Sequence, residues 1–258
     1  MALLSEFRIE ILGCPMHAIS SRSTVEEIRR QILSGSFIQH VVVNVSKLVN
    51  MRSDNALRRS VISCDMINID GMGVVWGARF LGHSVPERVA GVDLFHQLLA
   101  MSASNNFSVY LLGATDEVVT KTAKIVEAQY PGLKVAGYHH GYFWDDEEGM
   151  VETIRSANAQ LLFVAITSPK KENFINRWKD QLGVNFVMGV GGTFDVVAGK
   201  VKRAPLWMQK YGLEWLYRVI QEPGRMWKRY LTTNMQFAWL LILEKYKQIR
   251  SRSNNTSS

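Results

Sequence analysis

Short apolar runs alternate with segments of helical periodicity over residues 7–198 of this 258-residue chain, and this alternation limits the folds that it can form. Each run is short and rich in Val, Ile and Leu, and an amphipathic stretch follows it. The candidate strands are residues 7–12, 40–45, 67–69, 107–112, 133–138, 161–166 and 185–190. Such alternation predicts an α/β fold with a doubly wound, mostly parallel sheet and right-handed crossovers.

The pattern changes at Leu206, where strand signals end. Three helical pieces can be drawn after it, separated by Gly212 and by the Pro223-Gly224 pair, and four of the seven Trp lie here. Residues 199–258 hold 12 Lys and Arg against 3 acids, whereas the rest of the chain is nearly neutral. We therefore predict an α/β domain over residues 1–198 and a basic, Trp-rich helical appendage over residues 199–258, which indicates an anionic partner.

The sequence shows no secretory signal and no apolar run long enough to span a bilayer. Cys14 and Cys64 are the two cysteines, and neither has metal-ligand spacing around it. We therefore expect a reduced, cytoplasmic protein.

An acidic residue ends the third candidate strand. Asp70 follows the apolar run 67–69, and Gly71 and Gly73 follow Asp70. In an open α/β sheet, polar residues at the carboxyl ends of strands face the ligand crevice, so Asp70 is a candidate catalytic group. The alternative is that Asp70 only caps the following helix.

Two further polar residues are candidates for the same crevice. Asn44 lies near the end of the second candidate strand, where its amide could hydrogen-bond a ligand or serve only as a turn residue. Arg88 could bind a diphosphate through its guanidinium, or pair with Glu87 or Asp93.

A glycine cluster follows the last candidate strand. Gly191 and Gly192 would let backbone amides approach a phosphate, and Asp195 could contact a ribose or a base. No Gly-Lys-Ser/Thr follows, so this is not a Walker loop, and a tight structural turn is the alternative.

Metal binding has one weak candidate. His139 and His140 precede two acids, but adjacent residues of a strand point to opposite faces and rarely bind one ion. We therefore expect no metal and no cofactor. Tyr138 is expected to line a nucleotide cleft or to pack near it.

Several motifs, in order along nearly the whole chain, resemble the WecG/TagA/CpsF family of bacterial glycosyltransferases. They are D-G-x-G at residues 70–73, P-x-R-V-x-G-x-D-L at 86–94, L-L-G at 111–113, G-Y-H-H-G-Y-F at 137–143, G-V-G-G-T-F-D at 189–195, G-K-V-K-R-A-P at 199–205, E-W-L-Y-R at 214–218 and E-P at 222–223.

The resemblance implies a Rossmann-like, metal-independent, inverting transferase. It would move a sugar from a UDP-sugar donor to a polyprenyl-diphosphate-linked saccharide, at the inner face of the cell membrane, in surface polysaccharide or teichoic acid synthesis.

The resemblance also implies roles for single residues. Asp70 would be the general base, with Asn44 and Arg88 beside it. The residues implied for the nucleotide sugar are Gly71, Tyr138, Lys171, Gly191, Gly192 and Asp195, and those implied for the lipid diphosphate and the anionic membrane surface are Arg218, Arg225, Lys228 and Arg229.

Two positions depart from the family pattern. Val42 stands where the family has Thr in T-x-N, and Lys171 stands where it has Gln in G-x-P-K-Q-E. A lysine would favour a phosphate or a uronic acid, or would simply be a solvated residue at a helix start. The donor sugar therefore stays open among an N-acetylmannosamine type, a uronic acid and glucose.

Two other functions are considered. A nucleic-acid-binding protein would also interleave Arg with stacking aromatics, but the apolar content of residues 240–243 suits packing or a bilayer better. A nucleotide-dependent oxidoreductase lacks its spaced glycine fingerprint here. Association into a homo-oligomer is left open.

Overall fold

A computed structural model describes residues 2–255, with the side chains of all of these except residues 2–3, 225–226, 229 and 252–255. Within this part of the chain, the strands form one eight-stranded sheet. They are β1 (Arg8–Ile11), β2 (Cys14–His17), β3 (Ile38–Val43), β4 (Met66–Ile69), β5 (Ser108–Gly113), β6 (Lys134–His139), β7 (Leu161–Ala165) and β8 (Phe186–Gly189).

Helices connect the strands and continue to the end of the described chain. They are α1 (Ala2–Glu6), α2 (Ser21–Leu33), α3 (Val45–Asn50), α4 (Asn55–Ile62), α5 (Met72–Phe80), α6 (Gly91–Asn105), α7 (Asp116–Gln129), α8 (Glu147–Ser156), α9 (Lys170–Trp178), α10 (Thr193–Val197), α11 (Leu206–Lys210), α12 (Glu214–Gln221) and α13 (Pro223–Asn255).

The strand order is β1-β2-β4-β3-β8-β7-β5-β6. β1 runs antiparallel to β2, and the pairings among the other strands are parallel. The predicted doubly wound, mostly parallel α/β sheet is confirmed. Its parallel strands all end at one edge, and this edge carries the candidate site.

The hairpin of β1 and β2 was not expected, because the candidate strands include residues 7–12 but none that corresponds to β2. Leu12 and Gly13 both have positive φ angles, 53° and 75°, which is the conformation of a two-residue hairpin turn. Pro15 lies inside β2 and weakens its strand signal, yet β2 pairs with β4 through His17 and Asn68.

Apolar side chains cover both faces of the sheet. Along β7, Leu161 and Phe163 face one core with α2, α6 and α7, whereas Leu162 and Val164 face the core with α8 and α9. A third cluster lies under α4, α5 and α13. Burial on both faces explains the continuous apolar runs that mark the central strands.

The three helical pieces predicted after Leu206 are confirmed as α11, α12 and α13. Helix α13 packs on α3, α5 and α12, and it buries Thr233, Phe237 and Leu241, which share one face. A Cβ on Gly77 of α5 would lie 2.8 Å from Phe237 Cζ, so this glycine permits close contact. None of the described helices is long and apolar enough to cross a membrane. The domain boundary near residue 199 stays a prediction.

We predict that Phe237→Ala lowers the free energy of unfolding by about 3 kcal/mol, because it leaves a cavity between α13 and α5. Trp239→Ala is the matched control, since Trp239 is 61% exposed on the same helix, and it should change stability by less than about 0.5 kcal/mol. Urea denaturation measures both. Equal, small losses would mean that α13 does not pack on α5 in solution.

Candidate active site

Three of the predicted residues follow neighbouring strands at the same edge of the sheet. Asn44 follows β3, Asp70 follows β4, and Gly191 lies just after β8. β4, β3 and β8 are adjacent in the strand order. The carboxyl ends of these strands therefore bring the three positions together, as the sequence predicts.

Asp70 lies at the centre of this edge. Its backbone N–H donates to Val43 O at 2.9 Å, which fixes it against the end of β3. The loss of water around its partly exposed carboxyl raises the pKa of Asp70, and Arg88 is the first of the nearby charges that oppose this rise. Glu214 and Arg218 are also close enough to raise and to lower this pKa, respectively. A carboxylate with a raised pKa is a better proton acceptor near neutral pH.

The alternative function of Asp70 as a helix cap is wrong. Helix α5 begins after Gly71, and among the described side chains none makes a capping hydrogen bond there. Gly71 has a φ of +93°, a conformation that favours glycine, and a Cβ there would meet open space. The glycine is therefore needed for the turn that leads into α5. The side chain of Asp70 does not take part in capping this helix.

Arg88 is carried to this edge by an extended segment. The N–H of Val89 donates to Ile69 O at 2.8 Å, so residues 85–90 run alongside the end of β4. The guanidinium of Arg88 forms an ion pair with Glu214, the first residue of α12. The alternative that Arg88 pairs with Glu87 or Asp93 is therefore wrong.

The other two acids have partners elsewhere. Glu87 accepts a hydrogen bond from the N–H of Ser21 at 2.7 Å. Asp93 accepts two hydrogen bonds from Arg203, one of them at 2.8 Å, and this guanidinium lowers the pKa of Asp93. Arg203 also reaches Glu214 at 3.4 Å. An ion-pair network therefore joins the C-terminal segment to the sheet beside Asp70.

Asn44 has the structural role that we weighed for it. It is the N-cap of α3, and its Oδ1 accepts from the N–H of Lys47 at 3.0 Å. Its amide Nδ2 still carries two donor hydrogens, so the cap does not use the whole side chain. Contact between Asn44 and a sugar stays a prediction.

Lys171 is buried, so its interpretation as a solvated residue is wrong. Its Nζ lies 2.7 Å from Glu172 Oε1, and Lys47 Nζ lies 2.8 Å from the same oxygen. Although burial opposes ionisation, the two ammonium groups lower the pKa of Glu172 to about 2. The stem of Lys171 lies against Gly189, where a Cβ would be 2.8 Å from its Cδ. We name Lys47, Lys171 and Glu172 the buried charge triad.

The glycine cluster forms a turn between β8 and α10. Gly191 has a φ of +55°, and beside it a Cβ would meet open space. Thr193 Oγ1 donates to Val190 O at 2.8 Å and secures the turn. Asp195 is partly exposed and lies 3.8 Å from Lys200 Nζ. The turn thus presents backbone near the edge that holds Asp70.

Comparisons with known proteins identify the family of this chain. The model of the glycosyl transferase WecG/TagA/CpsF family matches residues 9–251. This chain belongs to that family. A Bacillus subtilis (strain 168) N-acetylglucosaminyldiphosphoundecaprenol N-acetyl-beta-D-mannosaminyltransferase is 37% identical over 186 residues, 72% of each chain. A Staphylococcus aureus (strain MW2) protein of the same name is 31% identical over 224 residues, 86% of each chain. Both relatives are transferases, so the nucleic-acid-binding alternative gains no support.

In this WecG/TagA/CpsF glycosyltransferase, Tyr138 lies apart from Asp70. It is on β6, the edge strand, five positions from β4 in the strand order, or about 24 Å at the usual strand spacing. Tyr138 is exposed, and a nucleotide contact for it stays a prediction.

The rings of the adjacent His139 and His140 lie against each other at a tilt of 49°, with their centroids 4.1 Å apart. Among the described residues, no three His, Cys, Asp or Glu side chains are grouped as a metal site requires. Independence from metal stays a prediction.

The C-terminal cations are placed unequally. Arg218 is near enough to Asp70 to lower its pKa. Lys228 is exposed, with Nζ 5.9 Å from the centre of the Trp227 ring. The side chains of Arg225 and Arg229 lie outside the described residues. Contact of these four residues with a lipid diphosphate stays a prediction.

The sequence interpretation missed four charged residues of this region, which are Lys47, Glu172, Arg203 and Glu214. One signal was available, because Glu214 and Arg218 are four residues apart and share a helix face. The pairs Lys47–Glu172 and Arg203–Asp93 join residues that are remote in the sequence.

We predict that the buried charge triad makes stability depend on acid pH. The pKa of Glu172 falls from an ordinary 4.5 to about 2 in the fold. Its contribution is therefore complete above pH 4.5 and is lost as the pH falls from about 4.5 towards 2, by an amount of about 3 kcal/mol.

Glu172→Gln should lower stability at pH 7 by about 3 kcal/mol, because it leaves two buried ammonium groups without a counter-charge. It should also lose less stability than the wild type between pH 5 and pH 3. Denaturation in urea at each pH measures this difference. Parallel losses in the two proteins would remove Glu172 from the acid response.

Proposed function

We propose that this protein is an inverting glycosyltransferase that moves an N-acetylhexosamine or hexose from a UDP-sugar to a polyprenyl-diphosphate-linked saccharide. The observation that carries the proposal is the carboxylate of Asp70, which lies at the carboxyl end of β4 and has a pKa raised by the loss of water around it, in a chain of a glycosyltransferase family. Its neighbours Arg88 and Arg218 supply positive charge where a diphosphate would lie.

The reaction needs one displacement. The acceptor hydroxyl oxygen attacks the anomeric carbon while Asp70 takes its proton, and the bond from that carbon to the UDP oxygen breaks with inversion. The electron pair leaves with UDP, whose growing charge requires cations or backbone N–H groups. The turn at Gly191 and Gly192, with Asp195 beside it, is our candidate for holding the nucleotide part.

The donor sugar can be narrowed. Lys171 is buried and paired with Glu172, which weakens the argument for a uronic acid that rested on a solvent-facing lysine. The names of the two relatives favour N-acetylmannosamine. Product masses from a set of UDP-sugars with a GlcNAc-diphosphate-lipid acceptor test this choice.

Asp70→Asn should lower kcat by about 10²-fold or more, the usual contribution of a general base, without weakening UDP binding. Asp65→Asn is the control, because Asp65 precedes the same strand and its Oδ2 accepts from the N–H of Gln39 at 2.8 Å. Wild-type activity should also fall as the pH drops through the raised pKa of Asp70, since the protonated acid accepts no proton. Full activity of Asp70→Asn would remove this residue from the mechanism.

We further propose that the protein is peripheral on the inner face of the cell membrane. Along α13, exposed apolar residues recur every three or four positions, so they share one face opposite the packed one. We name these residues the exposed stripe: Leu231, Met235, Trp239, Ile242, Tyr246 and Ile249. Lys228, Lys245 and Arg250 lie on the same helix, and their positive charge favours binding to anionic lipid. A homo-oligomer stays a prediction.

Deleting the whole appendage would also remove Phe237 and Leu241 from the core, so surface substitutions give the cleaner test. Trp239→Ser combined with Ile242→Ser should lower sedimentation with anionic vesicles about tenfold or more, because two apolar side chains are lost. Leu33→Ser is the control, since Leu33 is equally exposed on α2. Unchanged sedimentation of the double variant would contradict membrane binding through α13.

A further inference from the structure

A groove beside Arg88 is not used by the chemistry described above. It has a volume of about 340 Å³ and lies between α5, the segment of residues 85–90, and α11. Arg88 lines one side of it, so the groove begins next to the Asp70 region. This position makes it a candidate for part of a substrate that extends away from the reacting sugar.

The groove is positively charged. Arg79, Arg88 and Lys210 line it, against one acid, Glu87. Glu87 already accepts the N–H of Ser21 at 2.7 Å, so part of its charge is directed to the start of α2. Because Arg88 is already paired with Glu214, Arg79 and Lys210 are the lining cations that favour an anionic ligand such as a diphosphate.

The groove is also apolar. Met72, Val75 and Pro86 contribute to its lining. On α5, Trp76 and Phe80 are about half exposed and occupy the same outward face as Met72. A ligand that suits this surface has an anionic part and a hydrocarbon part side by side.

Two parts of the chain build the groove together. A Cβ on Gly212, in the turn after α11, would lie 2.4 Å from Met72 Cγ, so the turn is pressed against α5. This contact keeps α11 beside α5, and Lys210 of α11 lines the groove together with Arg79 and Arg88. The C-terminal segment therefore completes the groove.

We propose that this groove binds the diphosphate and the first isoprene units of the lipid-linked acceptor, with Arg79 and Lys210 contacting the diphosphate. The inference rests on the proposed function for the identity of the acceptor. Arg88 is near both Asp70 and the groove, so the saccharide would lie towards Asp70 and the diphosphate at the groove cations. The hydrocarbon would then run along the outer face of α5, where Trp76 and Phe80 are exposed.

Direct binding tests the groove with three probes: farnesyl diphosphate, inorganic pyrophosphate and UDP. Titration calorimetry on the full chain should give tighter binding of farnesyl diphosphate than of pyrophosphate, because of the apolar lining. Arg79→Gln and Lys210→Gln should each weaken the binding of farnesyl diphosphate about tenfold, the effect of one charge-assisted hydrogen bond. The affinity for UDP should change by less than about twofold. Lys121→Gln, on the exposed face of α7, is the matched control.

Arg79 Nη2 also donates to Val85 O at 3.1 Å, so its substitution could disturb the segment beside it. Lys210→Gln is therefore the decisive variant, and its KM for the lipid acceptor should rise about tenfold with the donor KM unchanged.

Three results would overturn the inference. Equal weakening of UDP and farnesyl diphosphate would make the groove part of the donor site. Equal affinity of the wild type for pyrophosphate and farnesyl diphosphate would show that the groove does not bind the hydrocarbon part. Unchanged affinities in both variants would show that the groove does not bind the diphosphate. Failure of the proposed function is distinguishable, since the wild type would then form no product from any lipid-linked acceptor.

Discussion

The removal of water from Asp70 is the constraint on which the candidate site depends. The loss of water at the end of β4 destabilises the charged form of this carboxylate. Cations from remote parts of the sequence partly offset this effect. Arg88 comes from the segment beside the strand, whereas Arg218 comes from α12. Glu214 pairs with Arg88 and limits the positive charge beside the acid. The strands alone would thus place Asp70 without the charged residues that adjust its pKa.

Helix α13 extends this dependence to the C-terminal segment. One face of the helix enters the core through Phe237 and Leu241, and another presents the exposed stripe. A basic, Trp-rich tail seemed from the sequence to be a separate appendage. Its packing on α3 and α5 makes it part of the support of the site, although its sequence differs so clearly from that of the sheet region.

The parts of this structure that could be predicted from sequence are those that local pattern determines. Buried strands give continuous apolar runs, and a glycine after an acid marks the turn at Asp70, so the sheet and the edge that carries the candidate site could be predicted. Pairing between distant residues was not. The burial of Lys171 depends on Glu172 beside it and on Lys47, more than a hundred residues earlier, and no local pattern reports such a triad. Tyr138 illustrates the same limit, because strand order decides its distance from Asp70 and the sequence does not state that order.

The close contact at Gly77 has a geometric consequence. Helix α5 starts one residue after Gly71, directly beyond Asp70, and the phenyl ring of Phe237 rests on its middle. Helix α13 therefore connects the exposed stripe to the helix that begins beside Asp70. If the stripe rests on a bilayer, the carboxylate stands at one height above the lipid. The length of the lipid-linked saccharide would then decide whether its hydroxyl reaches Asp70.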